Sequence, residues 1–93
     1  MQLARYTVEL SRPKAGWAEL QDVTARARQA THELRGEGAQ IRLLRSIFVP
    51  EDDACFLLYE GPSAQSVRAA AARAKLGVLR VDAALQLDRE ETT

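Results

Sequence analysis

Ninety-three residues make one small domain, enough chain for a single core and no second one. Thirteen Lys+Arg balance thirteen Asp+Glu, and 46% of residues are hydrophobic, which excludes a disordered chain and argues against a general nucleic-acid binder. The single cysteine excludes an intrachain disulfide and a Cys-rich zinc site. No apolar run reaches the ~18 residues of a membrane span. The opening MQLARYTVEL lacks a signal peptide's long apolar stretch, so the expected compartment is the cytoplasm, with neither membrane nor nucleic acid as partner.

Gln2–Leu10 alternates, with Ala4, Tyr6, Val8 and Leu10 on one side and Arg5, Thr7 and Glu9 on the other, which predicts a strand with one polar face. Residues 11–16, containing Pro13, form a connecting loop. From Trp17 to Arg35 the period changes. Trp17, Leu20, Val23 or Thr24, Ala27, Ala30 or Thr31, and Leu34 recur at three- and four-residue steps, one apolar stripe on a helix. Gly36-Glu37-Gly38 ends it, because glycine takes the left-handed cap geometry cheaply.

Ile41–Val49 and Ala54–Tyr59 are strand-length apolar runs joined by Pro50-Glu51-Asp52-Asp53, and they predict an antiparallel hairpin. With that four-residue loop, Phe48 faces Cys55, Ser46 faces Leu57 and Leu44 faces Tyr59. Leu44, Phe48, Cys55, Leu57 and Tyr59 then share one side; Ile41, Leu43, Ile47, Phe56 and Leu58 share the other. Both sides are apolar, so each needs a cover. Ser63 is an N-cap for a second helix, Ala64–Leu76, closed by Gly77, whose apolar side is Val67, Ala70, Ala71 and Ala74. Val78–Leu87 is a last strand with Leu79, Val81, Ala83, Leu85 and Leu87 on one side. Residues 88–93 are a polar tail.

Strand, helix, strand, strand, helix, strand is the ferredoxin-like βαββαβ order: an α+β domain with a four-stranded antiparallel sheet and both helices on one face. The other face is expected to pack on a second copy, as in dimeric α/β barrels, through Leu44, Phe48 and Leu57. Burying each large side chain there is worth roughly 1.5–3 kcal/mol.

The segment from Ile41 to Leu76, with Ser46, Glu51–Asp53, Gly61-Pro62-Ser63 and Val67-Arg68, resembles a family of small bacterial proteins of unknown function. These have ferredoxin-like folds, and some are described as nickel-binding. The likeness extends more loosely from Tyr6 to about Leu85, and it implies the same fold. Similar proteins often carry one histidine just before the strand's serine and another on the second helix. Arg45 and Ala70 stand at these positions here, and Cys55 is offset by about two residues from the cysteine expected near Leu57. Neither a guanidinium nor a methyl group ligates nickel, so the expectation is no metal and no cofactor.

The remaining chemistry is sparse. His32, the only histidine, has Arg28, Gln29, Arg35 and Gly36 at helical spacing and so no second ligand. Glu51-Asp52-Asp53 reads as a solvated turn. Arg68, Arg73 and Lys75, with Arg80, could attract an anion, although a charged helix face is more often only solvated. Tyr6, Trp17, Cys55 and Tyr59 are the candidates for lining a small-molecule pocket between sheet and first helix. The expected function is a homodimeric, non-enzymatic ligand-binding or regulatory module. The alternative is a cofactor-independent monooxygenase or isomerase of the dimeric α/β-barrel type, which would need a polar group of perturbed pKa in that pocket.

Overall fold

The computed structural model of the chain describes residues 3–10 and 16–84. The order is β1 (Ala4–Leu10), α1 (Trp17–Gly36), β2 (Arg42–Val49), β3 (Ala54–Gly61), α2 (Ala64–Arg73) and β4 (Val78–Ala84). All strand pairs are antiparallel and run β2-β3-β1-β4 across the sheet. This is the ferredoxin-like fold that the alternation of periods predicts.

Both helices lie on one face. Val8 and Leu10 of β1, and Cys55, Leu57 and Tyr59 of β3, join Leu20, Val23, Ala27 and Ala30 of α1 and Val67, Ala70 and Ala71 of α2 in one buried cluster. Alanines on α2 keep the helix close to the sheet, since nothing longer than a methyl group separates them. Gly61 closes β3 against Ile41, whose Cδ1 would lie 2.9 Å from a Cβ at that position. No helix among the described residues is long and apolar enough to cross a membrane.

Two arginines tie the helices to each other. Arg26 of α1 reaches the carbonyls of Ala74 and Lys75 just beyond α2, at 3.1 and 3.3 Å. Arg73 of α2 grips Glu37 beyond α1 with bonds of 2.6 and 3.1 Å. That grip holds the Glu37 carboxyl below its ordinary range.

Several expectations need correction. The second helix stops at Arg73, not Leu76. Lys75 takes the left-handed conformation (φ 59°), and Lys75 and Leu76 donate back to the Ala72 and Ala71 carbonyls. This Schellman geometry puts the left-handed cap at Lys75, two residues before Gly77, and turns Leu76 into the core. Trp17, expected on the buried stripe, is 70% exposed, because it is the first residue of α1 and overhangs the sheet. Leu79, expected on the same side as Val81, is 60% exposed; a bulge between Glu9 and Leu10 pairs Leu10 with Val78 and leaves Leu79 out of register.

The hairpin register is right at its tip and slips further along. Phe48 pairs with Cys55 and Ser46 with Leu57, but a bulge between Leu43 and Arg45 sets Leu43, not Leu44, opposite Tyr59. Ile41 precedes β2 and folds into the core. The side holding Phe48 and Leu57 is thus the side the helices cover, so neither residue is available as a dimer face. Leu44 is the residue left over at the bulge. Ile47, Phe56 and Leu58 occupy the open side. Residues 85–93, including the expected end of the last strand and the polar tail, lie outside the described residues, as do 1–2 and 11–15.

Candidate functional site

The candidate site lies where the first turns of α1 cross the β2–β3 hairpin. Gly16 starts the helix, its N–H donating to Glu19 Oε1 at 3.3 Å, which satisfies one of the four amides left without a partner at a helix start. A cavity of about 700 Å³ opens beneath these turns, within the range of small-ligand pockets. Leu20 and Phe48 make its apolar walls, Trp17 and Pro50 its mouth, and Cys55 its floor. Ser46 and Thr24 add a polar spot: Thr24 Oγ1 donates to the Leu20 carbonyl (3.0 Å) and lies 3.1 Å from Ser46 Oγ. Gln21 and Arg28 complete the polar part of the lining.

Among the four residues expected to line a pocket, two come together and two do not. Trp17 and Cys55 line the cavity. Tyr59 sits deeper, with no exposed surface, and Tyr6 packs against the same core. The alternation of β3 explains this. Cys55, Leu57 and Tyr59 all point toward the helices, but only Cys55, beside the hairpin tip, lies beyond the part of the sheet that the helix interiors fill.

Tyr59 is the most unusual polar group among the described residues. Its hydroxyl is buried without a hydrogen-bond partner among them, and burial pushes its pKa up to about 12. Thr31, a polar neighbour that offsets part of this, spends its own proton on the Ala27 carbonyl at 2.8 Å. Tyr59 Oη therefore faces the core and not the cavity.

The other candidates fall into place as surface. Pro50–Asp52 form one 3-10 turn, with Asp53 left-handed (φ 50°) and its N–H on the Pro50 carbonyl at 3.2 Å. All four residues are exposed. Among the described residues no three His, Cys, Asp or Glu side chains gather as a metal site would require. The cationic cluster expected at Arg68, Arg73, Lys75 and Arg80 is largely compensated. Arg73 is bound by Glu37, with Glu33 3.9 Å away, and Arg80 by Asp82 at 2.8 Å and Glu9 at 3.5 Å.

A different cationic cluster is present that the sequence reading missed. Arg28 and Arg35 on α1 and Arg42 on β2 line a shallower cleft of about 590 Å³ together with His32. The four- and three-residue steps from Arg28 through His32 to Arg35 were visible as one helix face. Arg42 joins them only because β2 folds back beside α1.

No family model matches the chain, and no curated protein matches it. Among solved structures, the crystal structure of SCO4226 from Streptomyces coelicolor A3(2) superposes with a TM-score of 0.69 over 84% of this chain and 91% of that one, at 15% sequence identity. The chain is similar to that protein in fold.

Proposed function

We propose that the chain is a homodimeric, non-enzymatic module of the cytoplasm that binds a small molecule, in a ligand-carrying or regulatory role and without a metal. One observation carries this reading: the cavity under α1 has apolar walls, a few hydrogen-bonding groups and, among the described residues, no Asp, Glu or His in its lining. A site of that kind holds and orients a ligand. An enzyme of the dimeric α/β-barrel type needs a general acid or base within reach of its substrate, and the lining offers only the Cys55 thiol and the Arg28 guanidinium as titratable groups. Arg45 and Ala70, standing where similar proteins often carry histidines, speak against nickel.

The dimer part of the reading is supported by Ile47, 43% exposed, which lies beside Phe56 and opposite it in register on the face the helices leave open. Leu58 follows two residues along β3. This patch is smaller and more mixed than the sequence suggested, since Arg45, Thr7, Glu9 and Arg80 border it. A second copy related by a two-fold axis would bury the apolar residues and set the charged ones at a rim.

The test of the binding reading uses a neutral aromatic probe, naphthalene, and the emission of Trp17, the only tryptophan, which stands at the cavity mouth. A saturable change in wild type that disappears in Ala25→Phe, an exposed lining position filled by the larger ring, is the expected result. A response that survives Ala25→Phe unchanged would place the probe elsewhere and overturn the reading.

A further inference from the structure

The cavity does not stop at Ser46. Ala25 and Arg28 line both it and the shallower cleft beyond, so the two depressions form one groove between α1 and β2, the edge strand of the sheet. Its two ends have opposite character. Leu20, Phe48 and Cys55 line one, while Arg28, His32, Arg35 and Arg42 line the other.

The cationic end is uncompensated. No Asp or Glu is among the described residues lining either part. Arg28 and Arg42 make no ion pair among the described residues, and Arg35 donates only to the Ile41 carbonyl, at 3.3 Å. Arg42 contributes backbone to the cleft's edge, but it stands opposite Glu60 on the open side of the sheet, so the free charge in the cleft is that of Arg28 and Arg35. Three arginines elsewhere in the fold are partnered: Arg26 by Asp22 at 3.0 Å, Arg73 by Glu37, Arg80 by Asp82. The chain is neutral overall, so two guanidiniums without carboxylates around one cleft reflect placement and not net charge. Gathered there they repel one another, and an anion relieves that repulsion. Arginine's planar fork also matches the oxygens of a carboxylate or phosphate.

We propose that this groove binds an amphiphilic anion, with an apolar chain or ring among Leu20, Phe48 and Cys55 and a carboxylate or phosphate head on Arg28 and Arg35. The proposal rests on reading the apolar cavity as a ligand site and adds the chemical class of the ligand. Along α1 the rise of 1.5 Å per residue puts Gln21 and Arg28 about 10 Å apart, a reach that suits a chain of about ten carbons.

Titration of the full chain, followed by Trp17 emission, separates the two claims. The probes are decanoate, decyl phosphate, decan-1-ol and inorganic phosphate, each well below its micelle-forming concentration. Decanoate and decyl phosphate should bind saturably and about tenfold or more tighter than decan-1-ol, as expected for charge-assisted contacts to two arginines. Added salt should weaken the anions and spare the alcohol. Whichever anion binds tighter names the head group. In the double variant Arg28→Gln with Arg35→Gln, both exposed positions with circular dichroism as a check on folding, decanoate should fall to the level of decan-1-ol. Equal binding of alcohol and anions in wild type, or a double variant that keeps the preference, would overturn the cationic head site while leaving the cavity as a ligand site. Inorganic phosphate binding as tightly as decyl phosphate would overturn the apolar half. No saturable response to any decyl compound would remove the cavity reading and this proposal with it.

Discussion

Leu57 and Leu58 are chemically identical neighbours on β3, and they face different surroundings. Leu57 lies under both helices, packed with Val8, Val67 and Tyr59, and has no exposed surface. Leu58 points to the open side, between Arg45 and Thr7, and is half-buried. The covered face is a closed set: β1, β3 and both helices contribute apolar side chains, and its polar members are few. The open face is a short apolar strip, Ile47 with Phe56 and then Leu58, edged by pairs such as Arg80 with Glu9. One strand therefore carries a folding surface on one side and an open apolar strip on the other.

The sharpest way to break that distinction is to truncate each leucine. Leu57→Ala should cost about 2–5 kcal/mol in denaturant unfolding, through lost transfer energy and the cavity left behind. Leu58→Ala, measured at dilution where the chain is monomeric, should cost less than ~1 kcal/mol, as surface changes do. Comparable losses at both positions would mean that the open face is part of the fold's own core.

Association is the next test. Wild type at about 50 μM should scatter light as a dimer, well above the dissociation constants that stable interfaces reach. Leu58→Asp should scatter as a monomer with an unchanged circular dichroism spectrum, because each copy would bury an unpaired carboxylate in the two-fold contact. A monodisperse wild-type monomer would remove the dimer and leave the apolar strip to solvent.

Tyr59 probes the covered face chemically. Its hydroxyl has a desolvation cost that its neighbour Thr31 offsets only in part, so Tyr59→Phe should raise stability, by up to about 1 kcal/mol at neutral pH. The folded pKa of about 12 lies above the ordinary value near 10, so between these the native state holds a proton that the unfolded chain has lost. Stability from this group is complete below pH 10 and falls as pH rises, at about 1.4 kcal/mol per pH unit up to about pH 12. Unfolding curves from pH 9 to 11.5 should show that extra slope in wild type and not in Tyr59→Phe; parallel curves would place the phenol in contact with water.

The smallest effect is expected on the open face. Arg80→Ala removes contacts to Asp82 and Glu9, yet the side chain is exposed, so monomer stability should change by less than ~0.5 kcal/mol. A larger loss would show that these pairs organise the sheet and do not merely border the strip.

The order of elements, the hairpin, the buried side of α2 and the helix caps at Ser63 and Gly38 were legible in the residues, because each follows from a local rule: a period of two or of 3.6, a turn residue, a cap. Gly38 indeed takes a positive φ of 96°. What local rules could not decide was which side of the hairpin the helices would cover. With both sides apolar, the choice fell to the bulge between Leu43 and Arg45 and to the packing of Val8 and Leu10 on β3, and it moved Phe48 and Leu57 from the expected association face into the core. The same holds for the site. Trp17 and Cys55 could be named as pocket candidates from residue type, but the groove exists only because α1 crosses the hairpin, and its cationic end is a cleft only because β2, distant in sequence, runs beside Arg28 and Arg35. Periodicity determines which residues share a face; only the tertiary fold decides what each face meets, since that depends on contacts between segments far apart in the chain.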